Sequence, residues 1–466
     1  MYSFNDTNLL LTNEYGKKLY HEVAALLPVI DFHNHLDAAA LAANKSFENI
    51  YRLWVQNDPY KHRAMRICGV AEDLITGSAT EYDKFLAWAQ CLTKTVGNPL
   101  FHWSCMELKQ LFGIEELLTP ENAESIWNTA NGLLKNEQLK ARNILEQLNV
   151  EIVCTSDDLS DSLEHHIALS KQGNKLKCLP SLRGDTIIAF QSPVFNAWVY
   201  KLQAATEITI SDIQSYKEAV INRLNFFNAA GCLLSDHSLD SGFTFITTKE
   251  ADAAGLFGQV LNGEHLSVND HIRLQSHLLQ FLGEEYAKRK WKMQLHIGAH
   301  RHTSTKLRNK VGPAGGYACI GSTVNVQSIC NFLDALDQQD RLPPTILYTL
   351  NPADNAILAS LTGSFSEDGV QGKIQFGPAW WYNDHYEGIV QQIKDLSSYG
   401  LLSTSIGMTT DSRSIVSMLR HQYYRRILCN TIGGWVAEGH LPDDWNLLSS
   451  MASNICYYNI KNWIKK

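Results

Sequence analysis

Pro28-Val29-Ile30-Asp31-Phe32-His33-Asn34-His35-Leu36 starts as a short apolar run and ends in two histidines one residue apart. The run reads as a buried strand. Residues i and i+2 of a strand share a face. The imidazoles of His33 and His35 are therefore expected to project together from the strand's C-terminal end. Imidazole is the commonest protein ligand for a divalent transition metal, so the stretch points to a metal site at the end of the first strand.

The rest of the chain is read outward from that site. Its 466 residues exceed the roughly 150 of a typical domain, but α/β barrels run longer as single units. Hydrophobic residues make up 45% and charged residues 19%, as in an ordinary globular enzyme. A net charge of -8 and a pI near 6.1 argue against nucleic acid as a partner. No apolar run reaches about 18 residues, so no membrane span is expected. Met1-Tyr2-Ser3-Phe4-Asn5-Asp6 lacks the basic and apolar regions of a leader peptide. None of the ten cysteines has CxxC spacing, and they read as small buried hydrophobes in a reducing compartment. A cytoplasmic protein is expected.

Asn13 is placed to cap a first helix over 14–27. From 38 to 148 the pattern is helical almost throughout, which is too long for one barrel connection and reads as a helical insertion after the first strand. It carries Asp58-Pro59-Tyr60-Lys61-His62-Arg63, polar and aromatic enough to overhang a site. Beyond 148, short apolar runs alternate with amphipathic stretches. Strands are expected near 150–155, 177–183, 231–237, 291–298, 345–350, 373–377 and 405–411. Helices are expected near 194–204, 211–228 and 268–290, with a helical tail from 414. Eight strands alternating with helices predict a (β/α)8 TIM-type barrel, a single domain over 1–466. The glycine-rich piece 312–316 reads as a loop and lacks the Gly-Lys-Ser/Thr of a P-loop.

Barrel enzymes carry their reactive groups at the C-terminal ends of the strands. Those ends supply His33 and His35, then Arg183, then Asp236 and His237, then His296 with Arg301 beyond it. Strand seven leads to Trp380, Trp381 and Asp384, and strand eight ends in Asp411, followed by Arg413. In a closed barrel the first and eighth strands are neighbours, so Asp411 completes a His33–His35–Asp411 metal set. Two imidazoles and one carboxylate suit Zn²⁺ or a similar divalent ion. The fourth strand offers no lysine to bridge a second metal, so one ion is expected. Arg183, Arg301 and Arg413 would line the mouth with positive charge suited to an acidic substrate. Trp380 and Trp381 could wall a sugar face or belong to the core. His62, His102, His165, His166, His300 and His302 have no such positional argument and read as structural. A metal-dependent hydrolase and an isomerase both remain open on these residues alone.

Seven blocks then match one pattern. They are Asp31-Phe32-His33-Asn34-His35-Leu36, Tyr60-Lys61-His62-Arg63-Ala64-Met65-Arg66, Gln294-Leu295-His296-Ile297-Gly298-Ala299, Asn351-Pro352-Ala353-Asp354-Asn355, Gln375–Asp384, Gly407–Ser414 and Arg425–Asn430. In sequence and order they resemble the uronate (glucuronate) isomerases of the amidohydrolase superfamily. The resemblance implies a metal-bearing (β/α)8 barrel that interconverts D-glucuronate with D-fructuronate and D-galacturonate with D-tagaturonate. It implies His33, His35 and Asp411 as metal-site residues, and Tyr60, Arg183, His296, Arg301 and Arg413 as active-site residues. Trp380 is taken as substrate-binding, and a homo-oligomer is expected. The chain departs from the pattern in four places: Pro59 stands where the family has a histidine before Tyr60, His62 stands for a tryptophan, Arg183-Gly184-Asp185 replaces Arg-Pro-Asp, and His300-Arg301-His302-Thr303 replaces an Asn-rich stretch. Aldose–ketose isomerisation removes the C2 proton and returns one at C1. Asp411 and Tyr60 are the candidates for that transfer, with Arg413 expected to lower the phenol's pKa from about 10.

Overall fold

The computed structural model describes residues 4–465. Met1–Ser3, part of the stretch read for a leader, and Lys466, the end of the expected 1–466 unit, lie outside the described residues. Seven strands form one curled parallel sheet: β1 (Val29–Asn34), β2 (Val150–Asp158), β3 (Lys177–Arg183), β4 (Leu234–Leu239), β5 (Lys292–Ile297), β8 (Thr345–Thr349) and β9 (Ile374–Phe376). They pair in the order β1-β2-β3-β4-β5-β8-β9. Between β5 and β8 lies a two-residue antiparallel pair, β6 (Ala299–His300) with β7 (Cys319–Ile320), which the sequence pattern did not reveal.

Seven of the eight expected strands are present, and β3 matches its expected range. The exception is 405–411, which forms no strand. Gly407 sits at φ +76° and Asp411 at φ +46°, and both break an extended run. A Cβ on Gly407 would lie 2.4 Å from the Ile455 carbonyl oxygen, so the backbone needs glycine there. The segment still binds β1, through individual bonds. His33 N–H donates to Thr409 Oγ1 (2.8 Å), Asp411 N–H to the His33 carbonyl (3.0 Å) and His35 N–H to the Ser412 carbonyl (2.8 Å).

Asn13 caps the first helix, Glu14–Glu22, by accepting from Gly16 N–H. Seven α-helices lie between β1 and β2. The expected helices past 148 appear as Phe195–Thr206, Ile213–Ala229 and Val268–Lys288. The concave side of the sheet holds a core of Ile30, Phe32, Cys154, Leu234, Ile346 and Tyr348, joined by Tyr457, Ile460 and Ile464 from the tail. The tail seals the N-terminal ends of the strands. Lys292 at the start of β5 donates to the Lys465 carbonyl (2.9 Å), and Trp463 Nε1 donates to the Gly372 carbonyl just before β9 (2.9 Å). Arg425 donates to the carbonyls of Pro28 and Cys456, tying the tail to the start of β1. The opposite ends of the strands are left to carry the site.

Candidate active site

β1 does not present its histidines by plain alternation. Asp31 pairs with Val153 and Asn34 with Thr155, so three residues of β1 span two of β2. Such a bulge re-aims side chains. Phe32 packs into the concave core while His33 and His35 face Asp411. Nε2 of His33 lies 3.3 Å from Asp411 Oδ1, and Nε2 of His35 lies 3.0 Å from the same oxygen. One ligand atom from each of the three residues falls within 4.8 Å of the others.

The second oxygen of Asp411 is occupied differently. Oδ2 accepts from Trp380 Nε1 (2.6 Å) and Trp381 Nε1 (2.5 Å). The two indoles fix the carboxylate plane and leave Oδ1 to the histidines. Burial opposes the charge on Asp411, but bonds to His33 and His35 outweigh it and hold the carboxyl well below the usual range. The tryptophans, read from sequence as wall or core, are thus hydrogen-bond donors to the central carboxylate.

Asp31 is fully buried behind the trio. Its Oδ2 accepts from Thr410 N–H (2.9 Å) and His421 Nε2 (2.9 Å), and its Oδ1 from Asn34 Nδ2 (2.9 Å) and Thr409 Oγ1 (3.1 Å). Burial lowers the pKa of His421, so a neutral imidazole donates to the carboxylate. Asp31 thereby joins β1 to the segment that carries Asp411. Sequence reading passed over it, because the partners lie almost 400 residues away and Asp31 sits inside an apolar run.

Tyr60 lies on the helix Pro59–Ile67. Asp58 caps that helix by accepting from Tyr60 N–H (2.9 Å), and Pro59 takes the first helical position, where its missing N–H costs nothing. Pro59 therefore has a local structural role. Lys61 anchors the helix inward, donating to Asp58 Oδ2 (2.9 Å) and the Trp54 carbonyl (3.0 Å), with Glu107 3.5 Å away. The Tyr60 hydroxyl is buried without a partner. Burial raises its pKa well above the ordinary value, against the pull of Arg420. Arg420 lies 5.5 Å from the ring centre and pairs with Asp384 at 2.8 Å. The cation at the phenol is thus Arg420, where Arg413 was expected, and the phenol stays protonated.

A cavity of about 730 Å³ opens onto this centre. His33, His35, Tyr60, Arg183, His296, Arg301, Trp380, Asp411 and Arg413 all line it, so these nine residues reach one space, whereas the strand-end candidates His237 and Asp384 do not. Arg183 donates through Nε to Asp185 (3.3 Å). Arg301 donates to Asp240 (2.7 Å) and Ser238 (2.9 Å) and lies over the Trp381 ring. Burial and nearby Arg183 draw the pKa of Arg413 down, while Asp411 opposes them. His296 stacks flat on Tyr348 at 4.4 Å, and burial pushes its pKa well below 6.5. His237 points elsewhere, hydrogen-bonding Tyr286. Asp236, expected from the end of the fourth strand, also lines the cavity and accepts from Ser156, and the unanticipated contributors are His271, His302 and the 313–316 loop. Arg63 pins that loop by donating to the carbonyls of Gly316 (3.2 Å) and Ala318 (3.0 Å).

A family model described as glucuronate isomerase matches residues 1–464. The chain belongs to the glucuronate isomerase family. A uronate isomerase of Bacillus licheniformis is 43% identical over all of this chain and 98% of its own length. One from Haemophilus influenzae is 40% identical with both chains fully covered. The crystal structure of a Thermotoga maritima uronate isomerase superposes with a TM-score of 0.94 at 28% identity, covering 100% of each chain. The enzyme is an aldose–ketose isomerase of uronic acids. The donor set fits a metal ion: two imidazole nitrogens meet one carboxylate oxygen whose partner oxygen is already held by indoles. Among the described residues no helix is long and apolar enough to cross a membrane.

Proposed function

We propose that the chain converts D-glucuronate to D-fructuronate and D-galacturonate to D-tagaturonate at this cavity. It does so as one (β/α)8-type barrel domain over 1–466, closed by the 405–411 segment, with 38–148 as a helical insertion. The observation that carries the reading is the convergence of the anionic Asp411 carboxylate, the protonated Tyr60 phenol and the guanidinium groups of Arg183, Arg301 and Arg413 on a single cavity. His33, His35 and Asp411 would hold one divalent ion, Zn²⁺ being suited to the set. When bound, the ion supplies Lewis-acid polarisation of a substrate oxygen.

The arginines make the site selective for a sugar acid. Arg183 and Arg301 take the C6 carboxylate, a role matched to the guanidinium fork. With the sugar ring open, the Asp411 carboxylate accepts the C2 proton and delivers it to C1. Tyr60 donates its phenolic proton to O1 as charge develops there and regains one from the O2 hydroxyl, so the product is an isomer of the substrate. This division follows from the protonation of the two groups: Asp411 is anionic and Tyr60 neutral. Arg413, beside Asp411, stabilises the negative enediolate. Trp380 and Trp381 keep the carboxylate oriented, and His296 forms part of the wall.

The test is ketose formation from both uronates, before and after chelation and with Zn²⁺ restored. Chelation is expected to abolish turnover and Zn²⁺ to return it. Asp411→Asn and Tyr60→Phe are each expected to lose at least 100-fold in kcat, within the usual range for a proton-transfer group. Near-normal turnover by both variants would overturn the scheme.

A further inference from the structure

We propose that Cys68 and Cys91 form a peroxide-oxidisable dithiol that closes to a disulfide and staples the Tyr60 helix to the helix Glu81–Leu92. Their sulfurs lie 3.1 Å apart, although the residues are 23 positions apart in sequence. Cys68 is the C-terminal cap of the helix Pro59–Ile67, and Cys91 is the penultimate residue of Glu81–Leu92. Both are free thiols, Cys68 half-buried and Cys91 buried. The isomerisation uses neither, since no electrons leave or enter the sugar overall.

The geometry assigns the two sulfurs different parts. Cys68 is the one solvent reaches, so it meets the oxidant first. Burial, reinforced by Cys68, pushes the Cys91 thiol up to about 12, which keeps it protonated until an electrophilic sulfur stands beside it. The Cys68 thiol and hydrogen peroxide give a sulfenic acid and water: sulfur is oxidised and the O–O bond breaks. The Cys91 sulfur then bonds to Cys68 and displaces hydroxide, which leaves as water with the Cys91 proton. One peroxide is consumed and two waters are released. A thiol reductant reverses the reaction by exchange.

Bond formation needs an S–S distance near 2.05 Å, so the sulfurs move together by about 1 Å. Tyr60 lies eight residues up the helix, about 12 Å away at 1.5 Å per residue. Closure therefore leaves the cavity in place. It ties the segment between the two cysteines into a loop, which restricts the unfolded chain and stabilises the fold. The device protects the seating of the Tyr60 helix under oxidative conditions and is not a switch of activity.

The experiment treats the full-length enzyme with graded hydrogen peroxide. It follows native thiol titre, intact mass, proteolytic peptides, Tm and uronate turnover. Expected are the loss of two thiols per chain, a linked peptide pair containing Cys68 and Cys91, and a rise in Tm that dithiothreitol reverses. Turnover should stay within about twofold, because the predicted motion is about 1 Å. Cys68→Ser and Cys91→Ser should fold and turn over normally but show no linked peptide and no Tm rise. The proposal is overturned if thiols are consumed without that peptide, if Cys68→Ser keeps the Tm rise, or if the linked enzyme loses most of its turnover.

Discussion

Asp31→Asn tests whether the buried carboxylate behind the His33–His35–Asp411 trio holds the two ends of the chain together. An amide keeps the shape but offers one acceptor oxygen in place of two. With the amide nitrogen at the Oδ2 position, Thr410 N–H and His421 Nε2 both lose their acceptor and face a donor. With it at the Oδ1 position, Asn34 Nδ2 loses its acceptor instead. Either way at least one buried donor is stranded, costing about 1–3 kcal/mol, and His421 loses its bond to a full negative charge, costing about 1 kcal/mol more. The sum is about 2–4 kcal/mol. At about 2.1 cal/mol/K of unfolding entropy per residue over 466 residues, this corresponds to about 2–4 °C in Tm. Thr410 adjoins Asp411, so metal content after dialysis should fall as well. Burial opposes the charge on Asp31, yet the His421 bond keeps its pKa below the ordinary value. Its contribution is therefore present above about pH 4 and is lost as pH falls further, so the difference between wild type and variant should shrink in acid. Differential scanning calorimetry and metal analysis provide the readouts. A variant with unchanged Tm and unchanged metal content would refute the reasoning.

Two further outcomes are expected. Gly407→Ala should destabilise by at least about 2 kcal/mol and lower turnover, because it combines a strained positive φ with a 2.4 Å clash beside the segment leading to Asp411; wild-type Tm and kcat would contradict this. Asp157 is raised by burial to about 7, so between about pH 4 and pH 7 the folded state binds the extra proton and stability from this group declines as pH rises. Asp157→Asn should remove about 2–4 kcal/mol of that decline; parallel Tm-versus-pH curves for wild type and variant would exclude it.

The regular part of the architecture was legible because its signals are local. β8 is a short run centred on Ile346-Leu347-Tyr348, the helix from Val268 has a 3.6-residue apolar period, and Asn13 announces a helix start by its own side chain. The 405–411 segment misled because its composition is that of a strand, while the obstacle is the Ile455 carbonyl pressed against Gly407 from the far end of the chain.

The site divides along the same line. The sequence alone determined which groups are available: His33, His35 and Asp411 as candidate ligand donors, Tyr60 as a phenol on the helix Pro59–Ile67, and the arginines 183, 301 and 413. Tertiary structure decided what each is bonded to. Trp380 and Trp381 donate to Asp411 Oδ2, Arg420 and not Arg413 stands over Tyr60, and Asp31 reaches Thr409, Thr410 and His421. The physical reason is the range of the interactions. A helix or strand period is set by bonds between near neighbours and repeats in the sequence. A buried hydrogen bond between residues hundreds of positions apart leaves no period, and its direction is fixed only when the strands curl and bring both ends of the chain to one cavity.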